Sequence, residues 1–98
     1  MREMKKIDLI HDFTSEEKMT RIGGERLRKM ILEETPVELV FSSRPIASVS
    51  FLDEGIAKLI FEGWTIEDLK VKLVLTGIHP RDKKILDELI KERMGRKP

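Results

Sequence analysis

Apolar and polar positions alternate along the chain in two rhythms, one with the period of a strand and one with the period of a helix. Ile7-Asp8-Leu9-Ile10 is apolar at alternate positions and predicts a first strand that ends by Asp12. From Thr20 onward, Gly23, Gly24, Leu27, Met30 and Ile31 share one face at helical spacing, with Arg21, Glu25, Arg28 and Lys29 on the others. That pattern predicts a helix stopping before Pro36. Thr14 and Glu17 also have the spacing of a capping box, so an earlier start is a second reading, with Gly23-Gly24 weakening or kinking the longer helix. Val37, Leu39 and Phe41 then alternate with Glu38 and Val40 in a second strand, ended by Ser42, Ser43 and Pro45.

A second helix follows, with Ser50 as its N-cap and Asp53 at the reciprocal capping position. Its core-facing residues are Leu52, Ile56, Leu59 and Ile60; Gly55 allows close backbone approach, and Gly63 ends it. Val71-Lys72-Leu73-Val74-Leu75 alternates again and predicts a third strand. His79-Pro80 opens a last helix, with Asp82 in the first turn and Ile85, Leu86, Leu89, Ile90 and Met94 as its apolar stripe.

The order strand, helix, strand, helix, strand, helix predicts a small α/β domain, βαβαβα, with a mainly parallel sheet of three or four strands and right-handed crossovers. In each of the second and third strands one face is more apolar than the other, so the helices are expected mostly on one side of the sheet. Residues 1–98 read as one domain with its core in about residues 5–94; no repeat, low-complexity linker or internal boundary interrupts them.

Composition narrows the chemistry. The chain has no Cys, Tyr, Asn or Gln, and charged residues make up 38% of it. Thiol nucleophiles, disulfides, thiolate metal sites and carboxamide base readers are thereby excluded, and the scarcity of thermolabile residues fits a thermophile. The N-terminal residues Met1-Arg2-Glu3-Met4-Lys5-Lys6 precede only a short apolar stretch, and no apolar run approaches bilayer length, so a cytoplasmic protein without membrane association is expected. A net charge of +1 gives no general field for nucleic acid, although Lys91, Arg93, Arg96 and Lys97 form a basic tail.

In an open parallel sheet, ligands favour the crevice beyond the carboxyl ends of the strands. Arg21 and Gly23 follow the first strand, Ser48 and Ser50 the second, Thr76 and His79 the third. Asp53 and Glu54 are poor candidates for an acid and base pair, because adjacent residues on a helix point about 100° apart. His11 and His79 lack metal-ligand spacing, and Gly23-Gly24 lacks the Lys and Ser or Thr of a phosphate loop and reads as close packing. No nucleophile and base pair, cofactor motif or metal set is present, so no catalytic residue, cofactor or metal is assigned.

The segment Ser50-Phe51-Leu52-Asp53-Glu54, preceded by the strand Val37 to Phe41 and by Arg21-Ile22-Gly23-Gly24-Glu25-Arg26-Leu27, resembles the STAS-like family, formerly a domain of unknown function. The likeness covers roughly Lys5 to Arg93 in element order. That family is similar in turn to the STAS domains of anti-sigma-factor antagonists, whose phosphorylatable serine lies at the same strand-to-helix junction. Ser50 is the matching position here; Ser48 stands where those domains have Asp, and Phe51 where they have Gly.

The resemblance implies a non-catalytic regulatory or signalling domain that binds a protein partner, a kinase-like ATPase or a regulator, through Ser48, Ser50, Phe51, Asp53 and Glu54. A second expectation is a small-molecule or nucleotide-binding module using the strand-end crevice rimmed by Arg21, Gly23, Thr76 and His79. An enzyme is the third and weakest.

Overall fold

A computed structural model describes residues 4–95. The basic-tail residues Arg96 and Lys97, and the N-terminal residues Met1, Arg2 and Glu3, lie outside the described residues. Three parallel strands form one sheet in the order β1 (Lys5–Asp8), β2 (Val37–Val40), β3 (Leu73–Thr76). Lys5 is paired with Val37 and Val37 with Leu73. The helices are α1 (Arg21–Glu34), α2 (Val49–Gly55), α3 (Ile66–Lys72) and α4 (Pro80–Gly95), with 3₁₀ turns at Glu17–Met19 and Ala57–Glu62. The α/β class expected from the alternation is present.

The sheet advances in one direction, so two crossovers of the same hand lay their helices on the same face. Burial agrees. Ile7, Val37, Leu39 and Leu73 share the covered face and are buried, whereas Lys6, Glu38 and Val74 on the other face are exposed or half-buried. On the covered face these strands join Leu27, Ile31, Phe51, Leu52, Ile56 and Leu59 in one core. Each such fully buried side chain contributes about 1.5–3 kcal/mol over its exposed state.

The elements differ from expectation at four places. First, β1 begins and ends two residues early, because the Asp8 carboxylate accepts the N–H groups of Ile10 and His11 and turns the chain. Second, the Thr14–Glu17 capping box forms, with both reciprocal bonds, but on the separate 3₁₀ turn; α1 starts anew at its own cap, Thr20, which accepts from Gly23 N–H. Third, the helix expected from Ser50 to Gly63 is α-helical only to Gly55; Ile56 leaves helical geometry, and the 3₁₀ turn that follows ends at Gly63 with φ +95°. Leu52, Ile56, Leu59 and Ile60 are nevertheless all buried, as their spacing predicts.

The fourth difference is α3. Val71 and Lys72 were expected in the third strand but end a helix that Thr65 and Asp68 open with a complete capping box. The strand starts directly at Leu73. On α4 the stripe holds for Ile85, Leu86, Leu89 and Ile90, while Met94 is exposed at its end. No helix among the described residues is long and apolar enough to cross a membrane.

Candidate functional site

The first turns of α1 and α2 are fastened side by side. Ser48 donates its N–H to Lys18 O at 3.0 Å, which ties the start of α2 to the turn before α1. Ser48 is also the N-cap of α2: its hydroxyl accepts from Phe51 N–H at 3.1 Å, and its own backbone is extended. The assignment of the cap to Ser50 is therefore corrected. Ser50 lies inside the first turn and is exposed. The physical reason is tertiary: a start at Ser48 turns Phe51 into the core, where its ring meets Phe13 edge-on at 5.6 Å, and leaves Asp53 free of capping to pair with Arg93 of α4.

Gly24 and Gly55 make the close approach of α1 and α2 possible, and Gly23 that of α1 to the turn before it. A Cβ on Gly24 would lie 2.7 Å from Glu54 Cβ and 2.9 Å from Phe51 O; one on Gly23 would lie 1.9 Å from Glu17 O. Gly23-Gly24 is the close-packing element that its sequence context suggests. Gly23 is accordingly filled by neighbouring backbone and offers no space at a ligand rim.

Glu54 occupies the seam between the two helices with only 5% of its side chain exposed. Arg28 lies 3.3 Å from one carboxylate oxygen and also donates to the Glu54 carbonyl. Lys58 hydrogen-bonds the other oxygen, and Arg21 Nε stands 3.2 Å away. Burial, the strongest single influence on this carboxyl, pushes its pKa up; hydrogen bonds from Lys58 and Arg28, with the charges of Lys58 and Arg21, outweigh that and hold it below the usual glutamate range. Glu54 is thus a buried, ionised brace. Phe51 is fully buried, so neither residue presents a direct contact to a partner, contrary to expectation.

Asp53 is half-buried and grips Arg93 through two hydrogen bonds, one at 2.8 Å, while the Arg93 guanidinium lies over the Phe61 ring at 5.5 Å. That pair fastens α4 to α2. Arg93 belongs to the fold here and not to a free basic tail. On the other side of the seam, Arg26 bonds Glu17 at 2.8 Å and stacks over Phe13 at 4.0 Å from the ring centre.

Of the crevice residues, Arg21 alone joins the junction, through Glu54. Thr76 Oγ1 donates to Glu38 Oε2 at 2.6 Å on the uncovered sheet face, and His79 Nδ1 accepts from Arg81 N–H as the cap of α4. The first turn of α4 is held against the loop before α2, since buried Asp82 accepts Ile46 N–H at 3.2 Å. The depression actually present beyond the ends of β1 and β2, about 270 Å³, is lined by Ile10, Ser15, Lys18, Met19, Ser42, Arg44 and Ile46. None of the expected rim residues lines it. No group of three or more His, Cys, Asp or Glu suited to a metal occurs among the described residues.

Exposed at the junction are Arg21, Ser50 and three apolar side chains, Met19 (62%), Ile22 (79%) and Val49 (52%). They come from the turn before α1 and from the first turns of α1 and α2. Sequence reasoning missed all three, because an isolated apolar residue off the core stripe carries no pattern of its own. It also missed Arg28, whose partner is 26 positions away. Only Lys58, one helical turn after Glu54, had a readable signal.

No family model, curated protein or solved structure matches the chain.

Proposed function

We propose that this chain is a STAS-like regulatory domain, without catalytic activity, that binds a protein partner through the rim of the α1–α2 junction. The observation that carries the reading is the pairing of an exposed serine with three exposed apolar side chains on a rigid base. Monomeric surfaces show single apolar residues routinely, but Met19, Ile22 and Val49 are borne by elements fastened to one another through the Ser48–Lys18 bond and the Glu54 cluster. Rigid support lowers the ordering cost of binding. The resemblance of Ser50-Phe51-Leu52-Asp53-Glu54 to the STAS-like pattern supports a kinase-like ATPase or a regulator as the partner.

In this reading Ser50 is the regulated position because it is exposed and bears no load in the fold. A phosphate there is tolerated structurally and places charge beside apolar surface, which a partner would have to desolvate. Wild type, Ser50→Ala, Ser50→Asp and Ile22→Asp, each verified as folded by circular dichroism, are to be titrated with a partner recovered on the immobilised protein. Ser50→Asp and Ile22→Asp weaken binding by about tenfold or more, the equivalent of about 1.4 kcal/mol, and Ser50→Ala changes it little. Equal affinities for all four remove the junction rim from the interface.

A further inference from the structure

We infer that the groove between α3, β3 and α4 binds a free single-chain anionic amphiphile of the fatty-acid type, with its tail in the groove and its carboxylate at the lysines along the mouth. This surface shares no residue with the α1–α2 rim.

The groove lies where the helical cover of the sheet stops. Ile7, Leu39 and Leu75 are paired in one row across the three strands, and all three belong to the covered face. Ile7 and Leu39 are buried, with 3% and 0% of their surface exposed, whereas Leu75 at the sheet edge is only half-buried. The neighbouring helix does not close the gap, since no residue of α3 is buried. Ile66 and Leu69 of α3, Leu75 of β3 and Ile90 of α4 instead line a space of about 690 Å³, backed by the buried Leu86. That volume falls within the range of about 300–1,000 Å³ found for small-molecule sites, and such sites are mostly apolar with a few polar groups that fix orientation.

Charge decides the class of ligand. Lys70 of α3 and Lys83 and Lys91 of α4 line the same groove, against a single lining carboxylate, Asp87, which Lys83 already neutralises. Lys70 and Lys91 make no ion pair among the described residues, so two exposed cations accompany one apolar trough. A wholly apolar ligand leaves those cations unused, and a small polar anion leaves the trough wet. A chain ending in one carboxylate answers both demands: its methylenes leave water for the groove, and its head meets flexible lysine tips where solvent still reaches them, so no charge has to be buried. A second copy answers less well, because a two-fold contact through this groove would set the same lysines against each other.

The test is an NMR titration of the whole chain, read at methyl resonances, with octanoate, dodecanoate and dodecyltrimethylammonium, each below its micelle concentration, and with phosphatidylglycerol vesicles. Dodecanoate is expected to shift the methyl groups of Leu69, Leu75 and Ile90. It binds at least about tenfold more tightly than octanoate, because each methylene buried strengthens binding by up to about fourfold. Dodecyltrimethylammonium, with the same tail and the opposite charge, binds about tenfold more weakly. Lys70→Glu with Lys91→Glu, both at exposed positions and verified as folded by circular dichroism, removes or reverses that preference and keeps the dependence on chain length. The inference is overturned if dodecanoate does not bind, if octanoate binds as well, if both head charges bind equally, if the lysine variant keeps the preference, or if the shifts are confined to Met19, Ile22 and Val49. It is equally overturned by binding to vesicles without binding of free dodecanoate, which makes a membrane surface the occupant. Shifts of the same methyl groups with protein concentration alone overturn it too, in favour of a second copy.

Discussion

The α1–α2 seam and the α3–β3–α4 region are closed by opposite means. At the seam, glycine lets two backbones come within contact of each other, and the one carboxylate trapped there is held by Arg28, Lys58 and Arg21. Within α3 no residue is fully buried, and leucines and isoleucines of three elements face a groove that they do not fill. What separates the two regions is residue size at the contact: Gly24 and Gly55 remove the spacers that would hold α1 and α2 apart, whereas α3 and α4 present only large side chains to one another. Closeness excludes water and makes the charges at the seam matter; distance leaves volume for another molecule.

The contrast is broken most directly at Glu54. Glu54→Ala leaves Arg28 and Lys58 without their partner and is expected to cost about 3 kcal/mol in urea unfolding. The same residue makes the seam sensitive to acid. Its folded pKa lies below the ordinary value of 4.5, so its contribution is complete above that value and disappears as pH falls through the folded value, where the unfolded chain binds the extra proton first. The stability gap between wild type and Glu54→Gln should accordingly narrow as pH is lowered from 7 toward 3. A gap independent of pH would mean that Glu54 is not ionised in the fold.

Gly24→Ala comes next. The new methyl group meets Glu54 Cβ and Phe51 O, neither of which can yield without separating the helices, and the expected cost is about 2 kcal/mol. A smaller effect discriminates the two serines at the start of α2: Ser48→Ala removes the cap and costs about 1 kcal/mol, while Ser50→Ala changes the thermal midpoint little. The reverse order of those midpoints would restore Ser50 as the cap. Smallest of all, Ile66→Ser at the groove rim should stay within about 0.5 kcal/mol of wild type. Should Ile66→Ser cost as much as Gly24→Ala, the groove is a packed core and the comparison fails.

The strands, the long helices α1 and α4, and the buried stripe from Leu52 to Ile60 were legible because burial on one face imposes its period on the residues. Placement of the cap was not. Ser48 and Ser50 are equally competent chemically, and the choice depended on Phe13 and Arg93, which lie far away in sequence. The helix α3 escaped because Val71-Lys72-Leu73-Val74-Leu75 satisfies a strand's alternation, although two of its residues finish a helix; the Thr65–Asp68 capping box and the Ile66–Leu69 spacing were the available signals. At the candidate site, Gly24 and the likeness around Ser50 drew attention to the α1–α2 junction. Which side chains are exposed there depended on tertiary packing, and so the surface residues Met19, Ile22 and Val49 had no sequence signature.

The direct passage from α3 into β3 has a consequence for how the chain tolerates changes in length. A loop can absorb an added residue by bulging, but Lys72 ends a helix and Leu73 begins a strand with nothing between them. One residue inserted there would either slide β3 by one position, sending Leu73 and Leu75 to the uncovered face, or rotate α3 by about 100° and carry Leu69 away from the groove. The two walls are indexed to each other by a single peptide bond. Insertions and deletions should therefore be poorly tolerated at this point and well tolerated at Ser42–Pro45, where an exposed loop separates β2 from α2.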